Sequence, residues 1–365
     1  MMKLSVDERL ALIKQVGEEI LEEEELRALL ATKEHFVAYD GFEPSGRIHI
    51  AQAVLRAINV NRMTKAGAHF KMWVADWHAW ANNKLGGDLE KIQITGKYFI
   101  EIWKAAGMDL KHVEFLWASD VVKDDNYWKL VMKVATTSTL KRILRCTQIM
   151  GRSENDVLQA SQILYPCMQT ADIFYLGVDV CQLGMDQRKV NVLARELAPG
   201  LGSAKPIVVS HHMLMGLLEP PKDATDAIER ATAMKMSKSK PASSIFVTDT
   251  KEEIEQKLKK AYCPEGQASE NPVLEYCKYI VFPILSEKGE RFVVERPEKF
   301  GGNVTFASYE ELEAAFVVKK LHPMDLKTAT AKYVNESLDP IRTHFAENAE
   351  AKRLKELVES YQVTR

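Results

Sequence analysis

The chain has 365 residues, 46% hydrophobic and 27% charged, with a formal net charge of −2 and a sequence pI near 6.5. That length and balance describe a globular protein of two domains, and they exclude a disordered chain and one that binds nucleic acid through an overall basic field. Five cysteines without a Cys-x-x-Cys pair point to neither a disulfide framework nor a zinc site, and no apolar run reaches membrane-spanning length, so a cytoplasmic protein with no membrane partner is expected.

Residues up to about Lys33 read as helix, because Leu10, Ile13, Val16 and Ile20 recur at spacings of three and four, with the acidic run Glu22–Glu25 on a solvated face. This N-terminal helical segment, 1–34, is expected as an outer layer or arm. A strand over His35–Asp40 then enters a turn rich in Gly and Pro, followed by a helical pattern from about Ile48 to Thr64 that stops near Gly67. The order continues with strand His69–Asp76, helix Leu89–Ala106, strand His112–Trp117, a helical insertion over about 118–162, strand Val178–Leu183, helix Arg188–Leu197 and strand Pro206–His211. Strands alternating with helices predict an α/β fold over 35–250, a Rossmann-like parallel sheet covered on both faces. Ligands bind such sheets where loops leave the carboxyl ends of the strands. From Lys251 to Arg365 the pattern turns to helices with mixed charge, which predicts a second, mainly α-helical domain.

Two loops carry phosphate chemistry. In the first, Gly41, Glu43, Pro44, Ser45 and Gly46 lead into a helix whose first turn holds His49, so backbone N–H groups and the positive helix end face an anion, and His49 adds a hydrogen bond to a phosphate oxygen. The second, over 234–244, strings together Lys235, Met236, Ser237, Lys238, Ser239 and Lys240 with no acid, a set of mobile point charges for a polyphosphate. Taken singly, the first is equally well a plain strand-to-helix turn and the second a solvated loop. Their occurrence together, with an α/β pattern between, points to ATP.

The pair GFEPSGRIHIAQ (Gly41–Gln52) and KMSKS (Lys235–Ser239) resembles the two signature motifs of class I aminoacyl-tRNA synthetases. The resemblance implies that Gly41, Glu43, Ser45, Gly46, His49 and Gln52 on one side, and Lys235, Met236, Ser237 and Lys238 on the other, grip ATP during attack of an amino-acid carboxylate on the α-phosphate. ATP with Mg²⁺ is then the co-substrate, with no prosthetic group and no metal held by protein side chains. The chain departs from the family at Ala51 and Gln52, where the motif has Gly and a second His. Gln52 donates hydrogen bonds without carrying charge, so the burden on Lys235 and Lys238 rises.

Over Ile163–Asp179 the residues Tyr165, Gln169 and Asp172 stand at i, i+4 and i+7 and share one helix face. Flanked by Ile163, Leu164, Met168 and Ile173, that polar face is costly to bury unless a polar guest pairs with it. The segment resembles the amino-acid-binding helix of tyrosyl-tRNA synthetases of the archaeal and eukaryotic cytosolic type. AYDGFEPSG, VADWHAW, LYPCMQTADIFYLGVD, GMDQRK, KAYCP, RPEKFGG and LHPMDLK match in order, over essentially the whole chain. The resemblance implies that Tyr39 and Asp172 hold the substrate phenol, that Tyr165, Gln169 and Gln187 hold its ammonium group, and that Ala75 and His78 line the pocket. Phenylalanine would leave Tyr39 and Asp172 unpaired. At GMDQRK, Gly184 permits close backbone approach and Asp186 is placed for ribose hydroxyls. Asp76 reads as structural rather than catalytic, and Trp73, Trp77 and Trp80 as packing residues.

Between Asn126 and Ser153 six cations, Lys129, Lys133, Lys141, Arg142, Arg145 and Arg152, stand without an acid. Such a patch suits phosphate backbones, though any one residue equally suits a solvated face. The resemblance implies that this insertion meets the tRNA acceptor stem and a partner subunit in a homodimer. It also implies that 251–365 is an anticodon-binding domain, where His322 and Asp325 meet the first anticodon base and Ile280 falls at the place of the stacking aromatic. The expected partner is tRNA(Tyr). A tryptophan enzyme of the same architecture and a non-catalytic RNA-binding relative remain the rivals.

Overall fold

The computed structural model describes residues 4–151, 156–221, 230, 234, 236 and 241–361. Six strands form one sheet, β1 Gly17–Leu21, β2 Phe36–Phe42, β3 Ala68–Val74, β4 Val113–Trp117, β5 Val180–Gly184 and β6 Ile207–His211, in the order β1-β6-β5-β2-β3-β4. All neighbours pair in parallel except β1 and β6. The winding reverses between β2 and β5, and this switch point opens a crevice at the carboxyl ends of the strands.

Beyond the N-terminal segment, the main helices of the sheet region lie where the periodicity puts them. Arg188–Leu197 and Leu89–Ala105 are helical, and the helix Ala160–Tyr175 carries the polar face. The insertion contains helices Ala118–Val121, Asp125–Thr137 and Leu140–Cys146. Gly67, at φ 102, turns the chain from Arg56–Lys65 into β3, and a Cβ there would stand 2.6 Å from the Glu34 carbonyl oxygen. Gly67→Ala is therefore expected to cost about 1–3 kcal/mol, read as a lower urea midpoint at unchanged slope.

The N-terminal region corrects the helical reading of 1–34. Val6–Lys14 is helical behind a Ser5–Glu8 capping box, but Gly17–Leu21 is β1, paired antiparallel with β6, and Glu23–Thr32 forms a second helix. Glu22 takes a left-handed φ of 60 and ends the strand, and Glu23, Glu24 and Glu25 sit in the first turn of the helix, where acidic groups suit its positive end. The apolar spacing that suggested one helix runs on from Ile13 to Val16 and Ile20, and the hydrogen bonds of a distant strand decide the conformation. The segment is no loose arm, since buried Arg9 donates to the carbonyls of Leu30, Lys33, Glu34 and Ala66.

The second region is helical apart from a two-stranded hairpin of Phe292–Val294 with Val304–Phe306. Its helix Ala349–Ser360 packs on the helix Leu89–Ala105, and His344 Nε2 lies 2.9 Å from Glu101 Oε2. One continuous apolar core runs from Phe70 and Trp103 under the sheet to Leu326 and Leu354.

Candidate active site

The crevice holds a cavity of about 400 Å³ lined by Tyr39, Gly41, Glu43, Ser45, His49, Gln52, Ala75, His78, Tyr165, Gln169, Asp172, Gly184, Asp186, Gln187 and Met236, among others. Residues from five separate stretches of sequence thus meet at the switch point. Gly46 stands in the first loop itself, at φ 89. Lys235, Ser237 and Lys238 lie outside the described residues.

At one end, buried Asp172 accepts from the Tyr127 hydroxyl at 2.8 Å and stands 3.0 Å from His78 Nε2. Burial pulls the His78 pKa down, but the Asp172 carboxylate, joined by Glu43 and Asp76, outweighs it and the net shift is upward. Burial, reinforced by Asp172, drives the Tyr39 phenol well above its usual range, so it stays a neutral hydrogen-bonding group. Gln169 Nε2 donates to Gln187 Oε1 at 3.1 Å, and Gln187 Nε2 donates to the Ile149 carbonyl at 3.0 Å, which fixes both amides. Burial followed by the Glu43 carboxylate raises the Tyr165 hydroxyl likewise. The polar face read from the sequence is therefore buried and turned to a cavity. Its acceptors and donors are set 3 to 7 positions apart on the helix Ala160–Tyr175.

At the other end, the first motif is zipped to the chain that follows the lysine loop. His49 bridges Phe246, Ile50 N donates to the Ile245 carbonyl at 2.9 Å, and Arg47 lies over the Phe246 ring at 4.2 Å. His49 accepts through its carbonyl from Gln52 N and Ala53 N, so it stands at the helix entry and not inside the first turn as expected. The helix opens with a π turn over Ala51–Leu55 before Arg56–Lys65, a distortion that recurs at functional sites. Gln52 Oε1 is buried with no hydrogen-bond partner among the described residues. A Cβ on Gly184 would stand 2.7 Å from Asp186 Oδ1 and from Met213 Sδ, which explains the glycine at this strand end.

Several cavity residues went unread in the sequence. Arg56, one helical turn beyond Gln52, pairs with buried Asp40 at 2.9 Å, and burial pushes the Asp40 carboxyl up to about 6 despite the pairing. Burial, followed by Arg56, holds His211 down to about 3, so its neutral ring meets Gln182 at 2.6 Å. Trp73 packs as expected but also lines the cavity, while Trp77 and Trp80 pack edge to face at 5.3 Å. Asp76 is structural: its oxygens accept from Trp77 N, Ser119 N and Gln93 Nε2. Only Arg56 had a signal within reach, its i+4 spacing from Gln52.

Away from the cavity, Lys141 and Arg145 are exposed and Arg142 is engaged by Glu196 at 2.9 Å. His322 caps the helix Pro323–Glu347, accepting from Met324 N, and Asp325 lies in its first turn. Ile280 is fully buried in the core, and the adjacent Tyr279 stacks on His212.

The sequence profile of the family described as tRNA synthetases class I (W and Y) matches residues 31–339. A protein of Arabidopsis thaliana named cytoplasmic tyrosine–tRNA ligase 1 is 53% identical over 100% of this chain and 91% of its own length. The chain belongs to the tyrosine–tRNA ligase family. The family fixes the reaction class, aminoacyl-tRNA ligation with ATP as co-substrate. Solved structures of the family agree in shape. The tyrosyl-tRNA synthetase of Pyrococcus horikoshii, solved with L-tyrosine, superposes with a TM-score of 0.88 at 41% identity, over 97% of this chain and 100% of that one. The enzyme of Leishmania major, solved with tyrosinol, gives a TM-score of 0.89 at 44% identity, over 99% of this chain and 61% of that longer one.

Proposed function

We propose that the cavity joins L-tyrosine to ATP and that the chain then transfers the tyrosyl group to the 3′ end of tRNA(Tyr) in the cytoplasm. The observation that carries the choice of amino acid is the buried set of Asp172, Tyr39 and Gln169, with half-buried Gln187, around one open space. Tyr39 and Asp172 bind the phenol, a donor and an acceptor together, and Tyr165, Gln169 and Gln187 take the ammonium group. Ala75 and His78 complete the wall, with His78 holding Asp172 in place.

MgATP enters at the opposite end, over Gly41, Glu43, Ser45, Gly46 and Gly184, where Asp186 takes the ribose hydroxyls. His49, Gln52, Lys235 and Lys238 face the phosphates, with Met236 and Ser237 shaping the loop. The tyrosine carboxylate oxygen attacks the α-phosphorus, the bond to the β,γ-pyrophosphate breaks, and the negative charge that gathers on the phosphates is met by these donors and cations. No enzyme-bound covalent intermediate is needed, and the acceleration comes from positioning and charge stabilisation. Lys141, Arg142 and Arg145 meet the acceptor stem, and His322 and Asp325 the anticodon. Exposed Met132 and Leu140 on helices of the insertion, with exposed Leu164 on the helix Ala160–Tyr175 that packs against them, support a homodimer through this part of the surface.

Tyrosine-dependent exchange of pyrophosphate into ATP tests the reading. The folded protein with Mg²⁺ is expected to exchange with tyrosine and not with tryptophan. Exchange driven by tryptophan instead, or by neither amino acid, would sink it.

A further inference from the structure

His212 lies on the cavity wall immediately after β6. Its Nδ1 stands 3.2 Å from Glu18 Oε2 on β1, and its Nε2 stands 2.9 Å from Glu275 Oε2 in the helix Pro272–Tyr276 of the C-terminal region. Its ring stacks on Tyr279 with centroids 4.3 Å apart and planes 11° from parallel. A neutral imidazole donates through one nitrogen only, so a ring with a carboxylate at each nitrogen is satisfied as the imidazolium. The Glu18 arm is half exposed and weakly held, whereas the Glu275 carboxylate is largely covered. Glu275 also accepts from Met215 N at 2.9 Å, while the adjacent Tyr276 hydroxyl reaches Met236 Sδ at 3.7 Å. Gly216 N donates to the Met234 carbonyl at 2.7 Å. One short helix of the C-terminal region therefore grips both the cavity wall 211–217 and the described part of the lysine loop.

We propose that His212 is a positioning residue for the nucleotide step: by stapling Glu18 and Glu275 it holds the wall 211–217, and with Tyr276 the segment at Met236, in register with the C-terminal region. The placement of that region against the sheet is then felt in ATP binding and not in tyrosine binding, because Tyr39, Gln169 and Asp172 stand on elements the staple does not touch. The inference rests on the reading of this end of the cavity as the nucleotide end.

The test uses the full chain in tyrosine-dependent pyrophosphate exchange, with ATP and tyrosine varied separately. In His212→Gln the KM for ATP is expected to rise about five- to tenfold while that for tyrosine stays within about twofold. Tyr276→Phe keeps the ring and loses only the hydroxyl; it is expected to raise the ATP KM about twofold, and it decides the matter if the His212 variant does not fold. A pH profile adds a signature that loose packing would not produce. The groups facing the ring are Glu18, Glu275, His211 and Tyr279, with Lys278 beyond them beside Glu18 and over the Tyr279 ring. Burial opposes its charge, but the two carboxylates raise its pKa to about 9, so the staple is intact below that pH and is lost as pH rises through it. The ATP KM of the unaltered enzyme should climb through that window, and the climb should be missing in His212→Gln. A folded His212→Gln enzyme with an unchanged ATP KM, or with both KM values raised in step, overturns the proposal. If the unaltered chain shows no exchange, the proposed function fails on its own, and calorimetric titration with ATP still decides the staple: an unchanged Kd in His212→Gln overturns it.

Discussion

Asp172→Asn is expected to lower kcat/KM for tyrosine by about 100- to 1000-fold while leaving the protein folded. Asn keeps the shape and can still accept from Tyr127, so the buried hydroxyl is not orphaned. What it removes is the charge that raises His78 and the second acceptor beside it, and it places an amide donor there instead. Loss of a charge-assisted hydrogen bond to the bound phenol, together with a donor facing a donor, is worth about 3–4 kcal/mol. The ATP KM should stay within about twofold, because the substitution lies at the far end of the cavity. Circular dichroism and thermal unfolding establish that the variant folds, and unchanged tyrosine kinetics in a folded variant would refute the pocket as assigned.

Lys238→Ala should slow adenylate formation by about 100- to 1000-fold and leave the Kd for tyrosine almost untouched. On the proposed function the expectation follows from Gln52, a neutral amide where the resemblance implies a second imidazole, so the lysines of the second motif must meet more of the developing charge. The surroundings of the loop fit a role at the phosphates. Met236 is buried against Tyr276, and the chain beyond it returns at Phe246 to bridge His49. Single-turnover measurement of tyrosyl-adenylate, set beside calorimetric tyrosine binding, separates the two effects. Normal adenylation in the variant would contradict it.

What could be read from the sequence shares one physical property: its interactions are local in the chain. Strand and helix alternation, the helix Arg188–Leu197, the loop after β2 that carries Gly46 and the face of Tyr165, Gln169 and Asp172 depend on spacings of two to seven residues, which backbone geometry turns directly into direction. The motif pair added the nucleotide because each half is a short stretch with its own chemistry.

The rest was settled by which distant segments meet. Gly17–Leu21 has no strong pattern of its own and becomes a strand because β6 offers it a hydrogen-bonding edge. Ile280, where the resemblance implies the place of a stacking aromatic, lies in the core because the helices around it close over that side. Asp40 found Arg56, His211 found Gln182, and His212 found Glu18 and Glu275 only because the sheet reverses its winding between β2 and β5 and the C-terminal region packs beneath it. The sequence by itself determined the chemical groups and the local angles at which they stand. The tertiary structure decided which of them share one cavity, since strand order and domain docking are set by the burial of apolar faces summed over the whole chain, and no single motif encodes that sum.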